Sequence, residues 1–206
     1  MPFQNRVNPY GTIFRSPARG MMMGNRGGAL HNEQREVVRR YKTRRWITCL
    51  LQFRGRRRVV MTPGRYTELF FLDEAVAFAA GHRPCAECRH DRFLAFQNAW
   101  KRAGLLQPAR ADNIDLVLHR HRIDPRGSKV TYETTLQSLP NGSFIAIDGA
   151  AWLVWDDALL LWTPEGYAEK VPRPDGVIVT VLTPRPIVEC FRHGYQPATH
   201  DSRTTE

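Results

Sequence analysis

Two cysteines three positions apart limit this chain more than any other feature. They lie in the stretch Ala80-Gly-His-Arg-Pro-Cys-Ala-Glu-Cys-Arg-His90. The segment before them carries helix signals at both ends. Asp73 is an N-cap residue, and Glu74 beside it suits the positive end of a helix dipole. The run Glu-Ala-Val-Ala-Phe-Ala-Ala follows, then Gly81 as a left-handed terminator and Pro84 as a stop. After the pair, Phe93, Phe96 and Trp100 fall on one face of a helix predicted over Arg89–Ala103. The cysteines therefore occupy a tight connection between two helices, and the dipole at the start of the second favours a thiolate at Cys88. A two-residue spacer brings both sulfurs to one point, which is how a turn supplies two of the four ligands of a tetrahedral zinc site. A redox pair would suit a βαβ setting that is missing here. Four cysteines in 206 residues do not make a disulfide framework, and a reducing cytoplasm is the expected compartment. The first twenty residues lack the apolar core of a secretory signal, and no apolar run reaches membrane-spanning length.

Upstream of the knuckle, Trp46–Phe53 is dense in strand formers, Arg58–Met61 reads as a returning strand, and Arg65–Phe71 alternates. This predicts a small antiparallel sheet with Cys49 in its first strand. At residues 70–88, Phe-Phe-Leu-Asp-Glu-Ala-Val-Ala-Phe-Ala-Ala-Gly-His-Arg-Pro-Cys-Ala-Glu-Cys, the chain resembles the second half of the Ada-type metal-binding domain. That domain is the zinc module of bacterial methylphosphotriester repair proteins. The resemblance implies zinc at Cys85 and Cys88. It weakens over 46–71 and does not reach 1–40 or 105–206. The family places two further cysteines, one of them the methyl acceptor, on and after the strand nearest the helix, whereas here that strand has none. Cys49, one strand earlier, becomes the candidate third ligand, because neighbouring strands lie about 5 Å apart. The fourth is open among His31, His82, His90 and Cys190, with His31 preferred for its glycine-rich loop.

Charge is unevenly spread. Residues 1–110 hold 21 Lys and Arg against 7 Asp and Glu, whereas residues 111–206 hold 9 against 13. Much of the excess is arginine, in Arg39, Arg40, Arg44 and Arg45, then Arg54, Arg56, Arg57 and Arg58. Arginine forks match phosphate geometry, so the basic half is expected to bind nucleic acid, DNA ahead of RNA. Arg44, Arg45, Arg54, Arg56, Arg57, Arg58, Arg83 and Arg89 are the candidate contacts.

Residues 1–35, with Met-Met-Met-Gly-Asn-Arg-Gly-Gly at 21–28, show no periodicity and read as an irregular basic arm. Residues 36–110 form the zinc module. Residues 111–206 read as a smaller β-rich unit with turns at Asp148-Gly149 and Asp156-Asp157. The fold class expected is α+β. Within the second unit, Ile114–Ile123 reads as a strand that places His119 and His121 on one face, with Asp124 just beyond. Such a pair, with Glu68 as a third member, would serve a hydrolase acting on nucleic acid. A zinc-bound Cys49 thiolate accepting a methyl group is a second enzymatic reading. A zinc-stapled protein-interaction module is a third class. Trp152, Trp155, Trp162 and Tyr167 are candidates for base stacking.

Overall fold

The computed structural model describes residues 1–56 and 59–204. Arg57 and Arg58, two of the expected phosphate contacts, lie outside the described residues. The fold is α+β, with two six-stranded sheets and four α-helices among the described residues. The first sheet comprises β1 (Gln4–Val7), β2 (Ile13–Arg15), β3 (Met22–Asn25), β4 (Ile47–Cys49), β5 (Leu69–Phe71) and β6 (Arg83–Pro84). Their spatial order is β2-β1-β5-β3-β4-β6. It is mixed rather than antiparallel, since β1 runs parallel to β5 and β4 parallel to β6.

The expectation of an irregular arm at 1–35 is corrected here, because three strands come from that segment. β3 is central, hydrogen-bonded to β4 on one side and β5 on the other. Three- and four-residue strands carry too little alternation to announce themselves. The expected strand at Arg58–Met61 is absent over its described part, where Val59–Met61 is turn and irregular backbone.

Alternation across β3 and β5 sorts the two faces of this sheet. Met22, Leu69 and Phe71 point into the main core with Val7. Cys49, Met23, Phe70 and Arg6 make a row across neighbouring strands on the other face. The row ends at the cysteine cluster.

Helix α1 (Glu74–Ala79) follows β5 and is buried at all six positions. Asp73 caps it, accepting from Val76 N at 2.9 Å. The helix lies in a core shared by both sheets, with Ala75, Val76 and Ala79 packed among Leu69, Phe71, Phe144, Leu153 and Leu160. Helices α2 (His90–Arg102), α3 (Ala111–Arg122) and α4 (Arg185–Arg192) share a second core around Phe96, Trp100, Ile114, Leu118 and Ile187.

Helix α3 replaces the strand expected at Ile114–Ile123. Its buried residues are Ile114, Asp115, Leu118 and Arg122, one stripe at helical spacing. The second sheet is antiparallel throughout. It comprises β7 (Tyr132–Thr135), β8 (Phe144–Ile147), β9 (Ala150–Trp155), β10 (Ala158–Thr163), β11 (Gly166–Pro172) and β12 (Ile178–Val181), in spatial order β11-β10-β9-β8-β12-β7. The turns at Asp148-Gly149 and Asp156-Asp157 join β8 to β9 and β9 to β10. Asp148 and Asp156 both have positive φ, as two-residue hairpins require. No described helix is long and apolar enough to cross a membrane.

Candidate metal centre

Two segments bring three sulfurs together. Cys49 ends β4. The parallel pairing of β4 with β6 then places the next turn beside it, through Arg83 N to Trp46 O at 3.0 Å and Cys85 N to Thr48 O at 2.9 Å. Cys85 opens that turn and Cys88 closes it. The Sγ atoms of Cys49, Cys85 and Cys88 lie within 4.8 Å of one another.

The backbone prepares the site for negative charge. The N–H groups of Glu87 (3.4 Å) and Cys88 point at Cys85 Sγ, and that of Leu50 points at Cys88 Sγ. Hydrogen bonds from Cys49 and Cys88 pull the Cys85 thiol far down, while those same contacts to Cys85 and Cys88, then burial, push the Cys49 thiol up. Three sulfurs that share protons in this way are a donor set for a soft divalent cation, which would take the place of those protons. Cys88 is the most open of the three; Cys49 is 7% exposed. The Met23 thioether, opposite Cys49 on β3, packs against the cluster. A cleft of about 400 Å³ lined by Asn25, Arg45, Ile47, Cys85 and Glu87 adjoins it.

His31 does not join the cluster. Its Nδ1 bonds Thr67 Oγ1 at 2.6 Å and its Nε2 reaches Thr62 O at 3.2 Å, so both ring nitrogens serve a loop elsewhere. His82 is wedged against Trp46 and Phe71, its Nε2 accepting from Arg26. His90 is exposed and turns its Nδ1 to Ala86 O. Cys190 sits in the helical core. Among the described residues, no fourth Cys, His, Asp or Glu completes the set.

A buried carboxylate braces the start of the knuckle's second helix. Glu74, 0% exposed, accepts from Arg89 at 2.8 Å, Arg92 at 2.7 Å, Tyr195 Oη at 2.6 Å and Ala198 N at 2.9 Å. Arg89 also donates from Nη1 to Thr48 Oγ1 at 2.7 Å. It therefore ties the residue after Cys88 to the residue before Cys49. This role was missed in the sequence. The available signal was a glutamate at the start of one helix and two arginines three apart, Arg89 and Arg92, at the start of the next.

Arg89 is thus not free to hold phosphate. Neither is Arg83, which is 4% exposed and pairs with Asp115 through Nε at 3.0 Å and Nη2 at 2.7 Å. Both were expected at a surface and prove to be internal ties. Arg44, Arg45, Arg54 and Arg56 are exposed. Arg54 and Arg56 lie over the Phe53 ring at 4.9 and 5.4 Å, and Arg56 pairs with Glu87 inside the knuckle at 2.7 Å. Arg45 pairs with Asp112 at 3.4 Å.

The proposed acid–base set is dispersed. On a helix, His119 and His121 project about 200° apart. His119 faces Tyr41 and Arg122, and His121 lies near Arg185. Glu68 is 4% exposed and accepts from Met61 N at 2.8 Å, which holds the positive-φ turn there. Asp124 caps its own turn, accepting from Arg126 N and Ser128 N. Trp152, Trp155 and Trp162 are half-buried against the cores, and the Tyr167 hydroxyl donates to Asp73 Oδ2 at 2.7 Å. They form no stacking platform. Comparisons with protein families, curated proteins and solved structures return no match.

Proposed function

We propose that this chain is a zinc-dependent nucleic-acid-binding protein, with DNA the first candidate, whose Ada-like knuckle carries arginines to the phosphate backbone. The observation that supports it is the convergence of Cys49, Cys85 and Cys88 from two chain segments, beside a loop that exposes Arg54 and Arg56. Cys49, Cys85 and Cys88 would hold the metal. Zinc there would neutralise thiolate charge and lock the loop after β4 to the turn before α2. Arg56 already bridges those two segments through Glu87. Arg44, Arg45 and Arg54 add exposed charge to the same half of the chain.

The test has two readings. Metal analysis of protein isolated with zinc should give about one ion per chain, lost in Cys49→Ser and Cys85→Ser and kept in His31→Ala. Duplex DNA affinity should fall steeply as salt rises, and Arg54→Ala with Arg56→Ala should reduce the log–log slope by roughly one for each arginine replaced. A metal-free chain, or binding indifferent to salt, would overturn the corresponding half of the reading.

A further inference from the structure

A cavity of about 620 Å³ is lined by residues 10–13, 37–40 and 127–129 together with Arg26, Trp46 and Arg122. Its lining includes Arg26, Arg39, Arg40, Arg122 and Lys129, and none of its lining residues is acidic. Arg26 and Arg122 are each 1% exposed. Both guanidinium groups lie against the Trp46 ring, at 4.0 and 4.2 Å.

Neither has a carboxylate partner among the described residues. Arg26 donates to His82 Nε2 at 3.3 Å, Arg40 O at 3.2 Å and Gly11 O at 2.9 Å. Arg122 donates to Gly81 O at 2.9 Å and to Arg44 O, and its Nη2 meets His119 Nδ1 at 3.3 Å. Its Nε is buried with no hydrogen-bond partner. Lys129 Nζ donates to Ala79 O at 2.6 Å. The nearby carboxylate of Asp115 is committed to Arg83 on both oxygens.

Proteins bury charge when it is paired. Here several cations converge on one hollow, met by carbonyls, imidazoles and the Trp46 face, while the one carboxylate whose charge reaches Arg122, Asp115, is already paired with Arg83. Burial first, then neighbouring cations, pushes Arg26 down to about 9 and Lys129 down to about 7. An anion in the cavity would supply the missing charge. The volume falls within the range of small-molecule sites, roughly 300–1,000 Å³, and so leaves room for more than a phosphate. Tyr10, Ile13 and Val38 provide an apolar wall.

We propose that this cavity binds a small phosphorylated molecule, its phosphate held by Arg26, Arg122 and Lys129 and its organic part by Tyr10, Ile13 and Val38. A duplex backbone fits poorly, because each internal phosphate is flanked by sugars and cannot reach guanidinium groups this deeply enclosed. A free or terminal phosphate can. This site is separate from the metal centre, and the proposal stands whether or not the nucleic-acid reading does.

The experiment is calorimetric titration and thermal melting of the full chain as isolated. The probes are inorganic pyrophosphate and ADP, with adenosine and a short duplex as comparisons. Pyrophosphate and ADP should saturate near one per chain and raise the Tm, while adenosine does neither and the duplex does not compete. Arg122→Gln and Lys129→Gln should each weaken ADP at least about tenfold, with Arg54→Ala unchanged. Should Arg122→Gln not fold, Lys129→Gln decides. The proposal fails if pyrophosphate and ADP do not saturate below about 1 mM, if Lys129→Gln binds ADP as tightly as wild type, or if duplex DNA displaces the ADP.

Discussion

Replacing Glu74 by Gln removes one charge from the point on which the knuckle rests, and its effect can be worked out. The side chain keeps its shape, so packing is preserved. What changes is the partner of Arg89, whose side chain is 4% exposed. Leaving one member of a buried ion pair uncompensated costs about 3–5 kcal/mol. Arg92, 39% exposed at its side chain, turns to water and adds little. In a chain of this size about 1 kcal/mol moves the Tm by about 2–4 °C, so the expected fall is about 6–20 °C. A second effect follows from Arg89 reaching Thr48 next to Cys49. Loss of such support around metal ligands typically weakens metal binding about 10–100-fold. Urea unfolding gives the first quantity and chelator competition the second. Pairing Glu74→Leu with Arg89→Met should recover much of the stability but not the metal affinity. A Glu74→Gln protein within about 1 kcal/mol of wild type, binding zinc within about threefold, would refute the reasoning.

Two further outcomes can be checked with the same melts. Gly81 has φ of +89°, and a Cβ there would stand 2.7 and 2.8 Å from Arg122 Cδ and Cβ, so Gly81→Ala should cost at least about 2 kcal/mol; a loss under about 0.5 kcal/mol would contradict the geometry. His82 is fully buried, and burial first, then Arg26 and Arg122, hold it well below its ordinary pKa. The unfolded chain takes up a proton near pH 6.5 that the folded chain refuses, so stability falls as pH drops below that value, by up to about 1.4 kcal/mol per unit. Urea midpoints at about pH 7, 6 and 5 should diverge between wild type and His82→Gln; parallel curves would remove His82 as the cause.

Legibility in the sequence followed how local the causes were. The Asp73 cap, the Gly81 terminator, the apolar face of α2 and the Cys-x-x-Cys turn are set by residues within a few positions of one another, and all four are where the pattern put them. Cys49 was reachable by one further step, that an adjacent strand brings its sulfur alongside. The fourth-ligand expectation at His31 failed because a histidine in a glycine-rich loop can be drawn in by a hydroxyl as readily as by a metal, and Thr67 lies 36 residues away in sequence. Helix α3 was hidden by its own chemistry. Ile114, Leu116 and Leu118 alternate like a strand, whereas the true buried stripe includes Asp115 and Arg122, which read as surface residues until Arg83 and the core around Trp46 are in view. Arginine content misled in the same way. An arginine facing solvent and one locked on a buried carboxylate are spelled alike.

The grip of residues 195–200 on the start of α1 carries a cost in time. The carboxylates of Asp73 and Glu74 are met by Tyr195, Ala198 and His200, more than 120 positions downstream. At about 5–20 residues per second, a ribosome needs roughly 6–25 s to deliver those partners after it has made the helix. Through that interval Cys49, Cys85 and Cys88 are already made, while Asp73 and Glu74 still lack the partners that residues 195–200 bring, so the knuckle's supports are completed only after its ligands.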